Sequence, residues 1–431
     1  MNGTTGRPAG ITARHWMIVV GSGLLMAMAV MLFLASGLML PPLAESIGAG
    51  LSQVMVFVSI NFITGAVVMT AAGPFLTQRV GLRPLVIAGG AFTGACLFAV
   101  SLVGDLTQLY LAAFAAGLLG TASLQMSGTA LINEWFARSR GLMLGLVMSI
   151  GGIGGLFAGA VLPQVVLSGG WQLGFQVLGG LTVAVALLCG VFLIRSRPSD
   201  VGLTAYGAHA EDHELHTASV AGLPAATALK TPQFAALVLG LTLWNALMAV
   251  QQHFAPLMAE RGLDLVATGS LISLLSILAI GSTLLFGGIS DRAGPLVAII
   301  LSGLLLVVAL ATMLLTAGYW PQAAAILLFS IPAVTPPIIT PIVLRHVFGG
   351  RAFASLLGVA MATMPAGVAL GSPLWGVPKD ATGSYDTAIL VAIGLTVAIV
   401  GLVSYAVITG PKLWRTAPAH HTAAGSVRPG S

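Results

Sequence analysis

Few residues in this sequence could do chemistry, and most of those lie at the borders of long apolar runs. His253 stands in the run Gln251-Gln252-His253-Phe254 and is the one titratable side chain close to the apolar part of a run. An imidazole titrates near pH ~6.5, so it could accept and release a proton there; packed beside Pro256, it could equally be an interfacial histidine with a structural duty. Arg79, Arg83, Glu134, Asp291, Arg345 and Arg351 sit where apolar runs stop. They could pair across neighbouring helix ends, Arg79 or Arg83 with Glu134 and Asp291 with Arg345 or Arg351, or serve as solvated loop charges. His209, His213 and His216 share a spacing and ligand type that suit a metal. They lie in a polar stretch with nothing nearby to hold them rigid, so a solvated loop is the reading adopted and no metal or other cofactor is expected. An enzyme would need a nucleophile, a metal cluster or a carboxylate pair within one pocket, and the sequence offers none.

The elements that carry these residues follow from composition. Of 431 residues, 57% are hydrophobic and only 7% are charged, against roughly 25% charged in an ordinary soluble domain. Apolar stretches of about 20 residues, the length that crosses ~30 Å of hydrocarbon, recur at 16–40, 52–76, 84–104, 107–133, 141–167, 173–195, 232–258, 267–290, 294–317, 321–345, 353–377 and 387–409. Pro41-Pro42, Gly81, Gly104-Asp105, Gly169-Gly170, Gly262 and Gly318 mark the expected helix ends. The expected fold is therefore an all-α membrane protein of twelve transmembrane helices. It divides into an N-terminal six-helix bundle (1–195), a cytoplasmic linker (196–231), a C-terminal six-helix bundle (232–410) and a disordered cytoplasmic tail (411–431). With the N-terminus inside, only Arg261 and Lys379 of the 17 basic residues fall outside, the asymmetry that the positive-inside rule demands. This makes membrane topology, not nucleic-acid binding, the account of the excess positive charge. Both termini are then cytoplasmic and the chain belongs in an inner membrane. Cys96 and Cys189 both lie inside spans, so no disulfide framework is expected.

The halves echo each other. Gly73-Pro74-Phe75-Leu76-Thr77-Gln78-Arg79-Val80-Gly81 after the second span matches Gly287-Gly288-Ile289-Ser290-Asp291-Arg292-Ala293-Gly294 after the eighth, and Trp135-Phe136 with Arg140 matches Val347-Phe348 with Arg351. Six plus six spans with these basic, glycine-containing turns resemble the major facilitator superfamily. Asn133-Glu134-Trp135-Phe136, the glycine-rich fifth span ending at Pro163, Gly170-Trp171, Arg197-Pro198, His253 with Pro256, and Gly371-Ser372-Pro373 leading to Asp380, Gly383 and Tyr385 narrow the likeness. They are similar to bacterial relatives of the monocarboxylate transporters and the oxalate/formate exchangers. The resemblance implies two pseudo-symmetric bundles that expose a pocket to each side in turn. It also implies an acidic residue in the turn after span 2, where this chain has Thr77, and basic residues in spans 8 and 11 that hold a carboxylate. Span 8 offers only Ser273, Ser276, Ser282 and Thr283, which counts against a small dicarboxylate such as oxalate.

No Asp, Glu, Lys or Arg lies in the middle third of any span, so recognition is expected to rest on uncharged groups. In the family, spans 1, 4, 7 and 10 line the cavity. Candidate substrate-binding residues are Trp244 and Asn245 in span 7, Gln125 and Ser127 in span 4, Thr335 and Thr340 beside Pro336-Pro337 in span 10, and Met31 and Phe33 in span 1. Asn61 in span 2 completes the set. Helix-to-helix hydrogen bonding is the alternative role for each polar one. Gly141, Gly145, Gly151, Gly152, Gly154, Gly155 and Gly159 give span 5 a smooth face, suited to a rocking contact or to static close packing. The expected function is secondary transport of a small organic molecule by a monomer in the bilayer. A monocarboxylate with an apolar or aromatic body is the first choice, with a proton as co-substrate and His253 as the proton group. Export of lipophilic metabolites is the alternative, and a non-transporting sensor on the same fold a minor one.

Overall fold

The computed structural model describes residues 11–75, 79–121, 123–124, 127–137, 139–203, 205–207 and 222–415. Gln125, Thr77, the linker histidines 209, 213 and 216, and the tail beyond 415 lie outside the described residues. Nine described helices are long and apolar enough to cross a membrane. Two of them are pairs of spans run together. The helix Arg140–Leu188 leaves helical geometry at Gly169-Gly170, with Gly170 at φ 73°, and Leu265–Leu315 does so at Gly294, φ 84°. The shorter apolar helix Leu106–Gly120 completes twelve crossings.

In chain order the spans are α1 (Ala13–Ile47), α2 (Leu51–Phe75), α3 (Leu82–Val100), α4 (Leu106–Thr121 continued by Ser127–Trp135), α5 (140–168), α6 (171–193) and α7 (Pro232–Glu260). They continue with α8 (265–293), α9 (295–315), α10 (Tyr319–Phe348), α11 (Phe353–Thr382) and α12 (Asp386–Thr409). An even number of crossings puts the described ends on one side, together with the connection between the halves. That side is called the linker face and the other the far face.

The repeat visible in the sequence is also present in the backbone. Gly81 before α3 has φ 86°, ψ 155°, and Gly294 before α9 has φ 84°, ψ 163°, a region that only glycine enters readily. The second echo positions the linker. Tyr206 donates its backbone N–H to the Trp135 carbonyl, and Leu223 donates to the Phe348 carbonyl. Both ends of the connection are thus pinned to matching helix ends of the two halves.

One boundary differs from the sequence expectation. Pro41-Pro42 does not stop α1, which continues to Ile47 and ends at Gly48, φ 65°, whose N–H reaches the Ala44 and Glu45 carbonyls. Proline removes an N–H without forbidding helical φ. Burial of Leu43 and Ala44 holds the extra turn in place.

Prolines leave a mark throughout the packing. A proline cannot donate to the carbonyl four residues before it, and within a bilayer that carbonyl must find another partner. Pro336 frees the Pro332 carbonyl, and the Trp244 indole N–H donates to it at 3.2 Å. Pro373 frees the Ala369 carbonyl, and the Ser59 hydroxyl donates to it at 2.5 Å. Pro163 frees the Gly159 carbonyl, which lies so close to Gly269 that a Cβ there would stand 2.2 Å from it. Pro256 leaves Gln252 without an i+4 amide, and a Cβ on Gly37 would stand 2.5 Å from the Gln252 carbonyl. The first contact lies within one half. The other three join the halves: α2 to α11, α5 to α8 and α1 to α7.

Candidate functional site

The contacts between halves run from the far face to mid-depth. At the far end, the Asp380 carboxylate of α11 accepts the backbone N–H groups of Leu51 and Ser52 at 2.9 and 2.8 Å. It therefore caps α2 across the boundary, where the helix's first N–H groups lack partners and its dipole favours negative charge. Deeper, Ser59 meets Ala369 and the Ser273 hydroxyl donates to the Leu156 carbonyl at 3.0 Å. The glycine face of α5 changes character along its length. A Cβ on Gly152 would meet Ile280 at 3.6 Å, on Gly155 Ser276 at 2.2 Å and on Gly159 the Gly269 carbonyl at 2.2 Å. On Gly141 and Gly145, and on Gly287 and Gly288 of α8, it would meet nothing within 4 Å. The halves are thus packed together toward the far face and spaced apart along these segments toward the linker face.

Charged residues support the same face. Glu260 at the end of α7 pairs with Lys379 of α11 at 2.6 Å, and Arg261 pairs with Asp386 at the start of α12 at 2.5 Å. Glu260 also accepts the Tyr385 backbone N–H at 3.0 Å, so three helix ends of the C-terminal half are tied together. The tyrosine hydroxyl beside these carboxylates is held protonated, its pKa raised by burial first and then by the negative charge of Glu260 and Asp380. Sequence reasoning named these charges as topology markers but not as a cluster. The available signal was that the two basic residues kept on this side, Arg261 and Lys379, each have acidic residues within a short reach.

The gating candidates occupy the opposite face. Arg79, Glu134, Asp291, Arg345 and Arg351 are exposed. Arg79 lies over the Phe75 ring, 5.2 Å from its centre, while Arg83 donates from Nε to the Gly190 carbonyl at 2.7 Å. The two ion pairs found among the described residues are those of the far face. The structure therefore does not bring Arg79 or Arg83 to Glu134, nor Asp291 to Arg345 or Arg351.

Under the packed far face lies a cavity. Phe33, Phe57, Phe62 and Phe175 wall it, with Phe33 and Phe62 edge to face at 6.2 Å between centres. Its polar rim includes Ser36, Asn61, Thr93 and Gln252, and none of its described lining residues is ionisable. Asn61 lies ten residues into α2, about 15 Å below the helix start at 1.5 Å per residue, which is roughly mid-bilayer. The described lining comes from α1, α2, α3, α4 and α6, with Gln252 its one member from the C-terminal half. The lining offers a bound molecule ring faces and a few neutral dipoles.

Of the expected binding residues, Phe33 and Asn61 border this cavity. Trp244 is buried against Pro332, and Asn245, also buried, donates to the Leu241 carbonyl at 2.8 Å. Thr335 shares a hydroxyl pair with Ser302 at 2.6 Å, Thr340 donates to the Pro336 carbonyl at 2.6 Å, and Met31 is packed in the core. Ser127 is fully buried with its hydroxyl unpartnered. His253 is fully buried, its Nδ1 2.8 Å from the Tyr385 hydroxyl and its Nε2 2.7 Å from the Ser372 carbonyl. The carbonyl can only accept, so Nε2 carries a proton and Nδ1 of the neutral ring accepts from Tyr385. Protonating Nδ1 would keep both contacts after rotation of one hydroxyl. Sequence reasoning quoted Gln252 only as a neighbour of His253 and missed it as a cavity residue.

Comparison with known proteins follows this geometry. The family profile described as Major Facilitator Superfamily matches residues 19–344. The chain is 23% identical over 399 residues to Monocarboxylate transporter 11 of Homo sapiens, covering 88% of this chain and 79% of that protein. It is 27% identical over 335 residues to Monocarboxylate transporter 13 of Bos taurus, covering 74% and 72%. Among solved structures, the nucleoside transporter NupG superposes with a TM-score of 0.68 at 14% identity, covering 92% of this chain and 99% of that one.

Proposed function

Because the chain belongs to the Major Facilitator Superfamily, we propose that it is a secondary transporter for a small organic molecule, a monocarboxylate with an apolar or aromatic body. The observation that carries this reading is the cavity itself, mid-depth and phenyl-walled, with no ionisable side chain among its described lining residues. A ligand bound there could be reached from the linker face. The far face would open when the two halves rock apart. In this reading the linker face is cytoplasmic, which the positive-inside asymmetry supports, both termini lie inside, the location is the inner membrane and the working unit is a monomer. The bundles comprise 1–195 and 232–410.

A carboxylate entering a cavity without a cationic partner would meet a high desolvation cost. Entry together with a proton removes that cost by neutralising the charge, so the transporter is a proton symporter. His253 is the proposed relay, since its ring can gain a proton without losing either hydrogen bond. In the family's rocking cycle, Asp291 with Arg345 or Arg351, and Arg79 or Arg83 with Glu134, close the linker face when the far face opens.

Proteoliposomes holding the purified full chain test this proposal. Benzoate uptake should be saturable and should accelerate when the lumen is made alkaline relative to the bath, and His253→Gln should abolish the pH acceleration while leaving benzoate exchange at equal pH. Uptake indifferent to the gradient in the wild type would remove the proton, and a gradient response that survives His253→Gln would remove the histidine. A second reading, export of a lipophilic metabolite, is favoured by the purely apolar walls. Saturable counterflow of tetraphenylphosphonium with no benzoate uptake would establish it instead.

A further inference from the structure

Gln252 is the one C-terminal-half residue among the described lining of the N-terminal cavity, and its carboxamide is held by one end only. The sequence explains how it reaches that position. Helix α7 tightens into a 3-10 turn over Ala249–His253 before resuming at Phe254, and Pro256 withholds the amide that would reach the Gln252 carbonyl. Gly37 lets α1 approach that carbonyl closely. The turn thus carries residue 252 across the boundary between the halves.

The side chain is contacted from behind. The Ser372 hydroxyl of α11, which also lies 2.8 Å from the Val368 carbonyl, meets Gln252 Oε1, and His253 Nε2 donates to the Ser372 carbonyl at 2.7 Å. Gln252 is 0% exposed and its Nε2 has no hydrogen-bond partner. A buried donor without a partner is costly, and native structures keep few of them. Here the unpaired amide belongs to a residue that borders the cavity.

We propose that Gln252 is the hydrogen-bond donor that selects the ligand, and that it recognises a carboxylate or carbonyl oxygen on a molecule whose planar apolar body lies among Phe33, Phe57, Phe62 and Phe175. This deepens the functional reading given above and rests on it. The bond crosses from one half to the other, so a ligand held by Gln252 and by the phenyl rings ties the two halves together while bound. Specificity therefore resides in an amide that also reports occupancy to the segment carrying His253. An apolar molecule without an oxygen acceptor gains nothing from this contact.

The test titrates benzoate and, separately, tetraphenylphosphonium against purified full-length protein, with thermal unfolding as the check on folding. Gln252→Leu should weaken benzoate by about two- to tenfold, the usual worth of a hydrogen bond to a neutral acceptor, and leave tetraphenylphosphonium within about twofold of wild type. Ala29→Phe, which fills the cavity without touching the amide, should weaken both probes. Unchanged benzoate affinity in folded Gln252→Leu, with Ala29→Phe still impaired, overturns the role of Gln252 alone. Benzoate binding untouched by Ala29→Phe, or absent from the wild type, overturns the cavity reading and this inference with it. If Gln252→Leu fails to fold, Gln252→Asn decides: the shortened amide should still weaken benzoate selectively, and equal weakening of both probes counts against the proposal.

Discussion

Gly159→Val should leave the far face unable to close and cut transport by about 5–150-fold. A Cβ at 159 would stand 2.2 Å from the Gly269 carbonyl and 2.6 Å from the Ser273 backbone nitrogen, both parts of a helix backbone that no rotamer change can move. Overpacking of this kind costs about 1–3 kcal/mol, and that range corresponds to the stated shift in a two-state equilibrium. The clash exists only while α5 and α8 are together, so the protein relieves it by parting the halves there. A cysteine placed at Leu34, which packs beside Gly155, should then become open to a membrane-impermeant maleimide from the far face. Gly281→Val on the same α8 supplies the control, since a Cβ at 281 meets nothing within 4 Å. Transport by Gly159→Val at wild-type rate would show that α5 and α8 do not approach this closely during the cycle.

Ser59→Ala and Trp244→Phe should separate two uses of the same device. Each removes the donor that satisfies a proline-freed carbonyl, Ala369 in one case and Pro332 in the other, and each leaves a buried acceptor at a cost of about 1–3 kcal/mol. The Ser59 bond joins α2 to α11 across the boundary. Its loss is felt only while the far face is shut and is relieved when opening admits water, so Ser59→Ala should populate the far-open state with little change in thermal stability. The Trp244 bond lies within the C-terminal half and is buried in both states. Trp244→Phe should therefore lower the unfolding temperature and leave the balance between states nearly unchanged. Thermal unfolding in detergent, read beside maleimide labelling at Leu34→Cys, distinguishes the two. The reverse pattern, Ser59→Ala unstable and Trp244→Phe far-open, would contradict the assignment of these contacts to the boundary and the bundle.

The twelve crossings were legible because apolar length and glycine punctuation are local properties, and Gly81 and Gly294 carry the repeat from sequence into φ and ψ. Pro41-Pro42 misled because a helix end depends on what the next turn packs against. Periodicity cannot reveal that Leu43 is buried. Prolines announced which carbonyls would lose their donor, yet the partners lay far along the chain. Ser59 is 310 residues from Ala369 and Trp244 is 88 from Pro332. The same limit governs the site. The expected binding residues lie on spans 1, 2, 4, 7 and 10. The cavity instead draws on α1, α2, α3, α4 and α6, with Gln252 reaching over from α7. A one-dimensional pattern assigns polar residues to helices and cannot tell which of them another helix will occupy. Trp244, Asn245 and Thr335 illustrate this, since each hydrogen-bonds within its own half.

The account depends on the ligand resting in the phenyl-walled cavity, and a single cysteine reports on that directly. The native thiols Cys96 and Cys189 are buried, whereas Ala29 borders the cavity and is partly exposed, so Ala29→Cys gives one reactive thiol at the proposed site. Saturating benzoate should protect it from a small methanethiosulfonate reagent, with half-protection at the concentration that half-saturates uptake. Labelling at an unchanged rate in saturating benzoate, with uptake intact, would place the ligand elsewhere and contradict the account.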